Sequence, residues 1–528
     1  MHKTLQAKAV VAAALSLILG AAGPAFQADL VLKGGTIHDG SGRPAYVGDV
    51  AITGDRISYV GRSAKIRARR SIDARGLVVA PGFIDLHTHP DLDTAEPAKR
   101  RLDTWLAQGV TTIVTGNDGF GNFDIAAQTR ALEARPIGPN MASFVGFGPV
   151  RIAVLGPGAV TPDAGQLAKM QALVAKGMCD GALGLSAGLF YAPQTYAKTD
   201  EVIAVAREAG KRGGIYDTHQ RDESSYDIGL LASVDEALRI GQEAGMPVHF
   251  AHLKAQGPDV HGQAPAVIAR IEAARAAGQQ VTADQYPYSA GSTSLVAALL
   301  PPWAQDGGLV AIKARIADPA LRDRLRTDMR ENMRRRGGAD ALLLTNSGRP
   351  WSGKRLDAIA AEWNVDPIDA ALRIIQDEPG YVAVVSFTQI EPDIEAIMRQ
   401  PWVVTGSDGT TGHPRISGTF PRKYAHYVLE RKVISLATFI RQSTGRSADI
   451  LKLDRRGYLR RGWYADVVVF DPRSYAPRSD YGRPSELAVG VSTLLINGQA
   501  VIADSRLNDR LPGRVLRRTN VLNCPPSG

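Results

Sequence analysis

Cysteine is almost absent from this chain: 528 residues contain two, Cys179 and Cys524. That excludes a disulfide-built scaffold and any zinc finger or iron–sulfur centre assembled from thiolates. An ion bound here must be held by histidines and carboxylates. A long apolar run is lacking as well. The run from Ala9 to Ala22 is about 14 residues, against the roughly 20 needed to cross a bilayer, so no stable membrane span is expected. Aromatic residues make up 6% of the chain and do not interleave with basic residues into a nucleic-acid-binding stripe. Acidic side chains are the minority among charges, 53 against 62 basic, and the resulting +9 first suggests nucleic acid or an anionic surface as partner. No recognisable module accompanies that charge. Arg334-Arg335-Arg336 reads as a solvated helix face, and nucleic acid is not expected as a partner.

Lys3 and Lys8 precede the N-terminal apolar run, and small residues with Pro24 follow it, which places a cleavage point after Ala25 or Ala28. Residues 1–28 are therefore expected to be a signal peptide, and the mature protein to be exported, in a bacterium to the periplasm. No cysteine follows the run to carry a lipid anchor.

Both ends of the mature chain read as short strands and turns. Leu30 to Lys33, Val50 to Thr53, Ile57 to Val60 and Gly76 to Gly82 find their counterpart in Ala465 to Asp471 and Val491 to Ile496. A split β-sandwich over 29–81 and 463–528 is expected. Between them, strings such as Val110 to Thr115, Gly214 to Thr218, Val248 to His252, Val281 to Asp284 and Trp402 to Ser407 alternate with helical patterns at Asp163 to Lys176, Val234 to Ala244 and Ala264 to Ala277. Repeated strand and helix predicts an α/β fold, a (β/α)8 barrel over 82–462. The stretch of about 301–380 exceeds one crossover and predicts an inserted lid subdomain.

The chemistry concentrates at strand ends. Phe83-Ile84-Asp85-Leu86-His87-Thr88-His89 closes an apolar strand with two histidines one residue apart, and alternation puts both on one face. His219, His252 and Asp408 end three later strands. A parallel barrel delivers all C-terminal strand ends to one mouth, so His87, His89, His219, His252 and Asp408 can converge on a metal. Asp408 taken alone, without the other ligands, reads first as an N-cap to the following segment.

With these motifs the sequence resembles the D-aminoacylase or N-acyl-D-amino-acid deacylase family of the amidohydrolase superfamily, along nearly the whole mature chain. Further motifs carry the resemblance: Gly116-Asn117-Asp118-Gly119-Phe120, Gly181 to Tyr191, Thr218-His219-Gln220-Arg221-Asp222-Glu223, His252-Leu253-Lys254, Asp284-Gln285-Tyr286-Pro287-Tyr288 and His413-Pro414-Arg415. The resemblance implies one or two zinc ions, or another divalent metal, in a barrel mouth. His219 and His252 would hold the tighter ion, and His87, His89 and Asp408 would surround a weaker one. Asp408 would also be the general acid/base. The implied activity is hydrolysis of the amide of small N-acyl-D-amino acids or D-residue-containing peptides.

Two departures stand out. Asp118 occupies the position where members of the family usually carry a metal-bridging cysteine; it is expected to ligate, with a turn residue before Gly119 as the alternative. Phe147 stands where relatives tend to have histidine. For the substrate carboxylate, Lys254 and Arg415 are candidate cations, with Tyr191 and Tyr288 as hydroxyl donors; tyrosines of this kind also serve as packing, and Arg415 could pair with a local acid. Met141 to Gly148, taken as the fourth barrel strand, has no lysine to be carboxylated, which favours a deacylase over a cyclic-amide hydrolase. The alternatives are another amidohydrolase-type amidase or dipeptidase, or a non-catalytic periplasmic binding protein. Oligomeric state is not legible.

Overall fold

The computed structural model of the chain describes residues 26–62, 65–90, 96–519 and 521–524. The signal peptide expected over 1–28 lies, up to residue 25, outside them. β1 (Phe26–Ile37), β2 (Tyr46–Thr53), β3 (Arg56–Gly61), β4 (Ile66–Asp73) and β5 (Val78–Pro81) precede the barrel.

The barrel follows as β6 (Phe83–Asp85), β7 (Val110–Thr115), β8 (Asn140–Ser143), β9 (Val145–Gly146), β10 (Gly184–Gly188), β11 (Ile215–His219), β12 (Val248–Phe250) and β13 (Val281–Gln285). β8 pairs with β7, whereas β9, one residue further on, pairs with β10, so the two short strands form one broken stave. Met141 to Gly146 thus belongs to the third stave. The fourth is Gly184-Leu185-Ser186-Ala187-Gly188, which also contains no lysine. The correction changes the count and leaves the argument against a carboxylated lysine standing.

Between β13 and the last stave comes an inserted unit with an antiparallel sheet of β14 (Ala290–Ser294), β15 (Leu342–Leu344) and β16 (Ala383–Phe387), ordered β14-β16-β15. It has its own core, in which Leu299, Met329, Leu342, Leu356 and Ile374 are buried. The unit starts at Ala290 and ends at Phe387, beyond both ends of the 301–380 segment. β17 (Val403–Thr405) is the eighth stave. The barrel closes where Asp408 N donates to His87 O at 2.8 Å and His89 N donates to Gly409 O at 3.0 Å.

β18 (Val467–Phe470), β19 (Val491–Ile496), β20 (Gln499–Ala503) and β21 (Arg506–Leu507) return to the first sheet. β18 pairs antiparallel with β5, joining both chain ends into one nine-stranded sheet. Leu32, Val50, Ile52, Val467, Val469 and Leu495 share one apolar cluster, which is why neither end is a unit by itself. The C-terminal strap then crosses the barrel, Arg518 N donating to Gly181 O at 2.9 Å. It ends in a disulfide between Cys524 and Cys179, at the end of the helix Ala164–Cys179. The two scarce cysteines are one cross-link, and no free cysteine remains among the described residues.

Candidate metal centre

The expected ligands all arrive at the C-terminal ends of staves. His87 and His89 follow β6, Asp118 follows β7, His219 ends β11, His252 follows β12 and Asp408 follows β17. Asp118, His252 and Asp408 have φ of 55°, 36° and 48°. Three non-glycine residues in the left-handed region cost on the order of 1–3 kcal/mol each, and such strain collects where a side chain has to be aimed. The loop at Asp118 is pinned on both sides. Asn117 Nδ2 donates to Leu86 O at 3.0 Å, Gly119 N donates to Ser186 Oγ at 3.0 Å, and Gln194 Nε2 donates to Asp118 O at 3.1 Å.

The donor atoms form two overlapping groups, His87, His89, Asp118 and Asp408 on one side and Asp118, His219 and His252 on the other. Asp118 Oδ1 lies 3.4 Å from His87 Nε2, 3.2 Å from His252 Nε2 and 3.7 Å from His219 Nδ1. Its Oδ2 lies 3.4 Å from His89 Nε2. Asp408 Oδ1 is 3.1 Å from His89 Nε2 and 3.6 Å from His87 Nε2, and His219 Nδ1 is 2.9 Å from His252 Nε2. Donors set about 2.0–2.1 Å from a tetrahedral ion stand roughly 3.3 Å apart, and these separations are edges of that size. Asp118 Oδ1 is buried and accepts no hydrogen bond. A carboxylate oxygen stranded in that way is costly, and a divalent cation relieves it. The residues present fit the implied metal.

The charges agree. Burial works against an ionised Asp118, but His87 and His252 outweigh it and hold its carboxyl well below the usual range. Asp408 is held low against burial by Arg415 first and then by His87. Behind the ligands, Asp284 lies 3.5 Å from His87 Nδ1, facing that ring, and accepts from the backbone N of His252 at 3.1 Å, which holds the main chain that carries the second ligand. Sequence reasoning placed Asp284 in a motif and gave it no role.

The same holds for Glu223, which follows His219 by four residues. Lys254 Nζ donates to Glu223 Oε1 at 2.6 Å and lies 2.8 Å from His252 Nδ1. Burial disfavours the Lys254 ammonium, but Glu223 more than restores it. Lys254 and Tyr191 line the cavity in front of His219, His252 and Asp408. The Tyr191 ring centre is 4.8 Å from that of His219. Arg415 is only 1% exposed and does meet a local acid, its Nη1 lying 2.7 Å from Asp408 Oδ2. Tyr288 does not line the cavity: its hydroxyl donates to Pro414 O at 3.3 Å, and Tyr286 supplies the aromatic wall instead. Arg336, expected on a solvated helix face, is 2% exposed and also lines the cavity. Only Arg334 of that run follows the expectation, pairing at the surface with Asp259 at 2.7 Å. The helix ends at Arg335, so Arg336 no longer shares its outward face.

A model of the amidohydrolase family matches residues 70–502. The chain is 34% identical to the D-aminoacylase of Alcaligenes xylosoxydans xylosoxydans over 518 residues, 93% of this chain and 98% of that one. A solved D-aminoacylase described as having a binuclear metal center superposes with a TM-score of 0.79, at 34% identity over 93% of this chain and 100% of that one. The N-acyl-D-glutamate deacylase of Bordetella bronchiseptica, solved with zinc and a phosphonate mimic of the tetrahedral intermediate, gives the same TM-score of 0.79 at 30% identity, again over 93% and 100%. D-hydantoinase, at 16% identity and a TM-score of 0.56, shares the fold alone. With its split sheet, eight-stave barrel and histidine–aspartate mouth, the chain belongs to the amidohydrolase family, in its branch of D-aminoacylases and N-acyl-D-amino-acid deacylases.

Proposed function

We propose that this chain is an exported amidohydrolase that cleaves the amide of small N-acyl-D-amino acids, with zinc as its ion. The observation that carries the reading is Asp118 Oδ1, one buried oxygen facing His87, His219 and His252 together. His219, His252 and Asp118 would hold one ion, and His87, His89, Asp118 and Asp408 a second. Such an ion supplies Lewis acidity, which polarises the scissile carbonyl and acidifies a water. Zinc in the deacylase of Bordetella bronchiseptica supports that choice of metal.

The side chains divide the remaining work. Asp408 is ionised and faces the cavity, so it can accept a proton from the attacking water and return it to the leaving nitrogen. Arg415 fixes the rotation of that carboxylate through its Oδ2, leaving Oδ1 turned toward His89. Lys254 presents an ammonium beside His252, where it can receive the α-carboxylate of an N-acyl amino acid. Phe190, Tyr191 and Tyr286 wall the recess with rings and keep bulk water from the carbonyl. Export is supported by the N-terminal pattern and agrees with a cross-linked cysteine pair. Cleavage after Ala25 leaves β1 whole, since the strand begins at Phe26.

The test is amine release from N-acetyl-D- and N-acetyl-L-amino acids by metal-replete protein, with and without chelator. Release from the D series alone, abolished by chelator, is expected. Equal release from both series would overturn the D-selective reading, and chelator-independent release would overturn the metal.

A further inference from the structure

The cavity contains one cation that no acid neutralises. Lys254 is matched by Glu223 at 2.6 Å and Arg415 by Asp408 at 2.7 Å. Arg336 comes from the inserted unit, just after the helix Arg322–Arg335, and is 2% exposed. Its Nε donates to Ala298 O at 3.2 Å and its Nη1 to Ser386 Oγ at 3.2 Å. Its guanidinium carbon lies 5.9 Å from the Phe190 ring centre and 5.5 Å from that of Tyr226. Among the described residues no carboxylate pairs with it. Burying an unmatched guanidinium is expensive, and a fixed planar donor packed against two touching rings is organised in advance for a planar anion. Two more polar atoms at the same wall are left over, for the Tyr226 hydroxyl and Ser292 Oγ are buried without a hydrogen bond of good geometry.

The position of Arg336 says which part of a substrate it meets. The α-carboxylate carbon is two bonds from the scissile nitrogen and belongs beside Lys254, in contact with His252. Arg336 stands one aromatic ring further out, because Phe190, against which it packs, lies 5.7 Å from the His219 ring. A side-chain carboxylate, three or four bonds from the scissile nitrogen, has that reach. We propose that Arg336, with the hydroxyls of Tyr226 and Ser292, forms a subsite for an anionic side chain, so that the preferred substrates are N-acyl derivatives of acidic D-amino acids. The proposal rests on the deacylase reading above and assigns its side-chain preference to the inserted unit.

The experiment compares kcat/KM of the metal-loaded protein for N-acetyl-D-glutamate and its neutral isostere N-acetyl-D-glutamine, in wild type, Arg336→Met and Arg336→Lys. A charge-assisted hydrogen bond to the extra carboxylate predicts a preference for glutamate of about tenfold or more in wild type, mainly in KM. In Arg336→Met the ratio falls close to one while turnover of the glutamine compound persists, and Arg336→Lys regains part of the preference. A wild-type ratio of one or below overturns the subsite, as does an equal loss on both compounds in Arg336→Met. Should Arg336→Met not fold, the wild-type ratio and the Lys variant decide. Should wild type hydrolyse no N-acyl-D-amino acid, the deacylase reading fails, and equilibrium binding of the same two compounds judges the subsite: about tenfold tighter glutamate supports it, and equal affinity ends it.

Discussion

Asp118 Oδ1 stands 3.2 Å from His252 Nε2, and Asp118 belongs to both donor groups, so a carboxylate joins the two halves of the barrel mouth at the position where the family resemblance implies a thiolate. A carboxylate is the harder ligand and cannot be oxidised. Asp118→Ala is therefore expected to lose at least one equivalent of metal, measured by elemental analysis of the purified protein. Asp118→Cys should keep its metal and become sensitive to peroxide. An unchanged stoichiometry in Asp118→Ala would reduce the residue to a turn former before Gly119.

Lys254 and Glu223 are both buried and 2.6 Å apart, so each protects the other from the cost of an isolated charge. Removing one member of such a pair costs about 3–5 kcal/mol, whereas removing both costs less. Lys254→Met should accordingly unfold several degrees earlier than wild type, and Lys254→Met with Glu223→Gln should recover much of that loss in a thermal melt. Activity should not recover. With the ammonium gone, kcat/KM for an N-acetyl-D-amino acid is expected to stay down by about 100-fold in both variants. Recovered activity in the double variant would show that Lys254 serves only to balance Glu223.

The disulfide joins residues 345 positions apart, yet it releases only the C-terminal strap when broken. The strap is also held by backbone bonds to Met141 and Gly181. Cys524→Ser should therefore cost about 2–4 kcal/mol, as an ordinary native disulfide does, and not the larger value a closed loop of that length suggests. Metal content and kcat should be unchanged, since the cross-link sits at a helix end away from the mouth. A free-thiol titration of the purified protein should find none before reduction and two after it.

The barrel was legible because its staves are short apolar, β-branched strings ending in titratable residues, and Val110–Thr115 appears as a strand with the expected bounds. The clustering of the six candidate ligands was legible because parallel staves send their last residues to one place. What the sequence withheld depends on packing between distant segments. The third stave is broken after Ser143, and only its two different partners fix the count. Arg336 follows the outward Arg334 and the half-buried Arg335 and turns inward because its helix has ended, which periodicity does not report. The orientation of Tyr288 depends on Pro414, a residue more than a hundred positions away. Glu223 did carry a signal, four residues after His219, where a carboxylate can reach back toward the ring; the separation recorded is 3.8 Å.

Lys423 provides a test of the barrel interior that is independent of metal and substrate. Its ammonium is fully buried and donates to Thr405 Oγ1 at 3.0 Å. Burial pulls its pKa from 10.5 down to about 7, although Asp284 acts in the opposite direction. Between those two values the unfolded chain binds the proton and the folded chain does not. The contribution of this group to stability therefore rises with pH across that window and is at its most unfavourable, and flat, below it. Lys423→Met should stabilise the protein near pH 7, by on the order of 3 kcal/mol once the lost hydrogen bond is discounted. The gain should shrink steadily as the pH is raised toward 10, because the wild-type lysine then folds as the neutral amine at little cost. Denaturant melts of both proteins at several pH values measure it. A gain that grows with pH, or a loss at every pH, would mean that Lys423 is charged in the folded state and paired with Asp284.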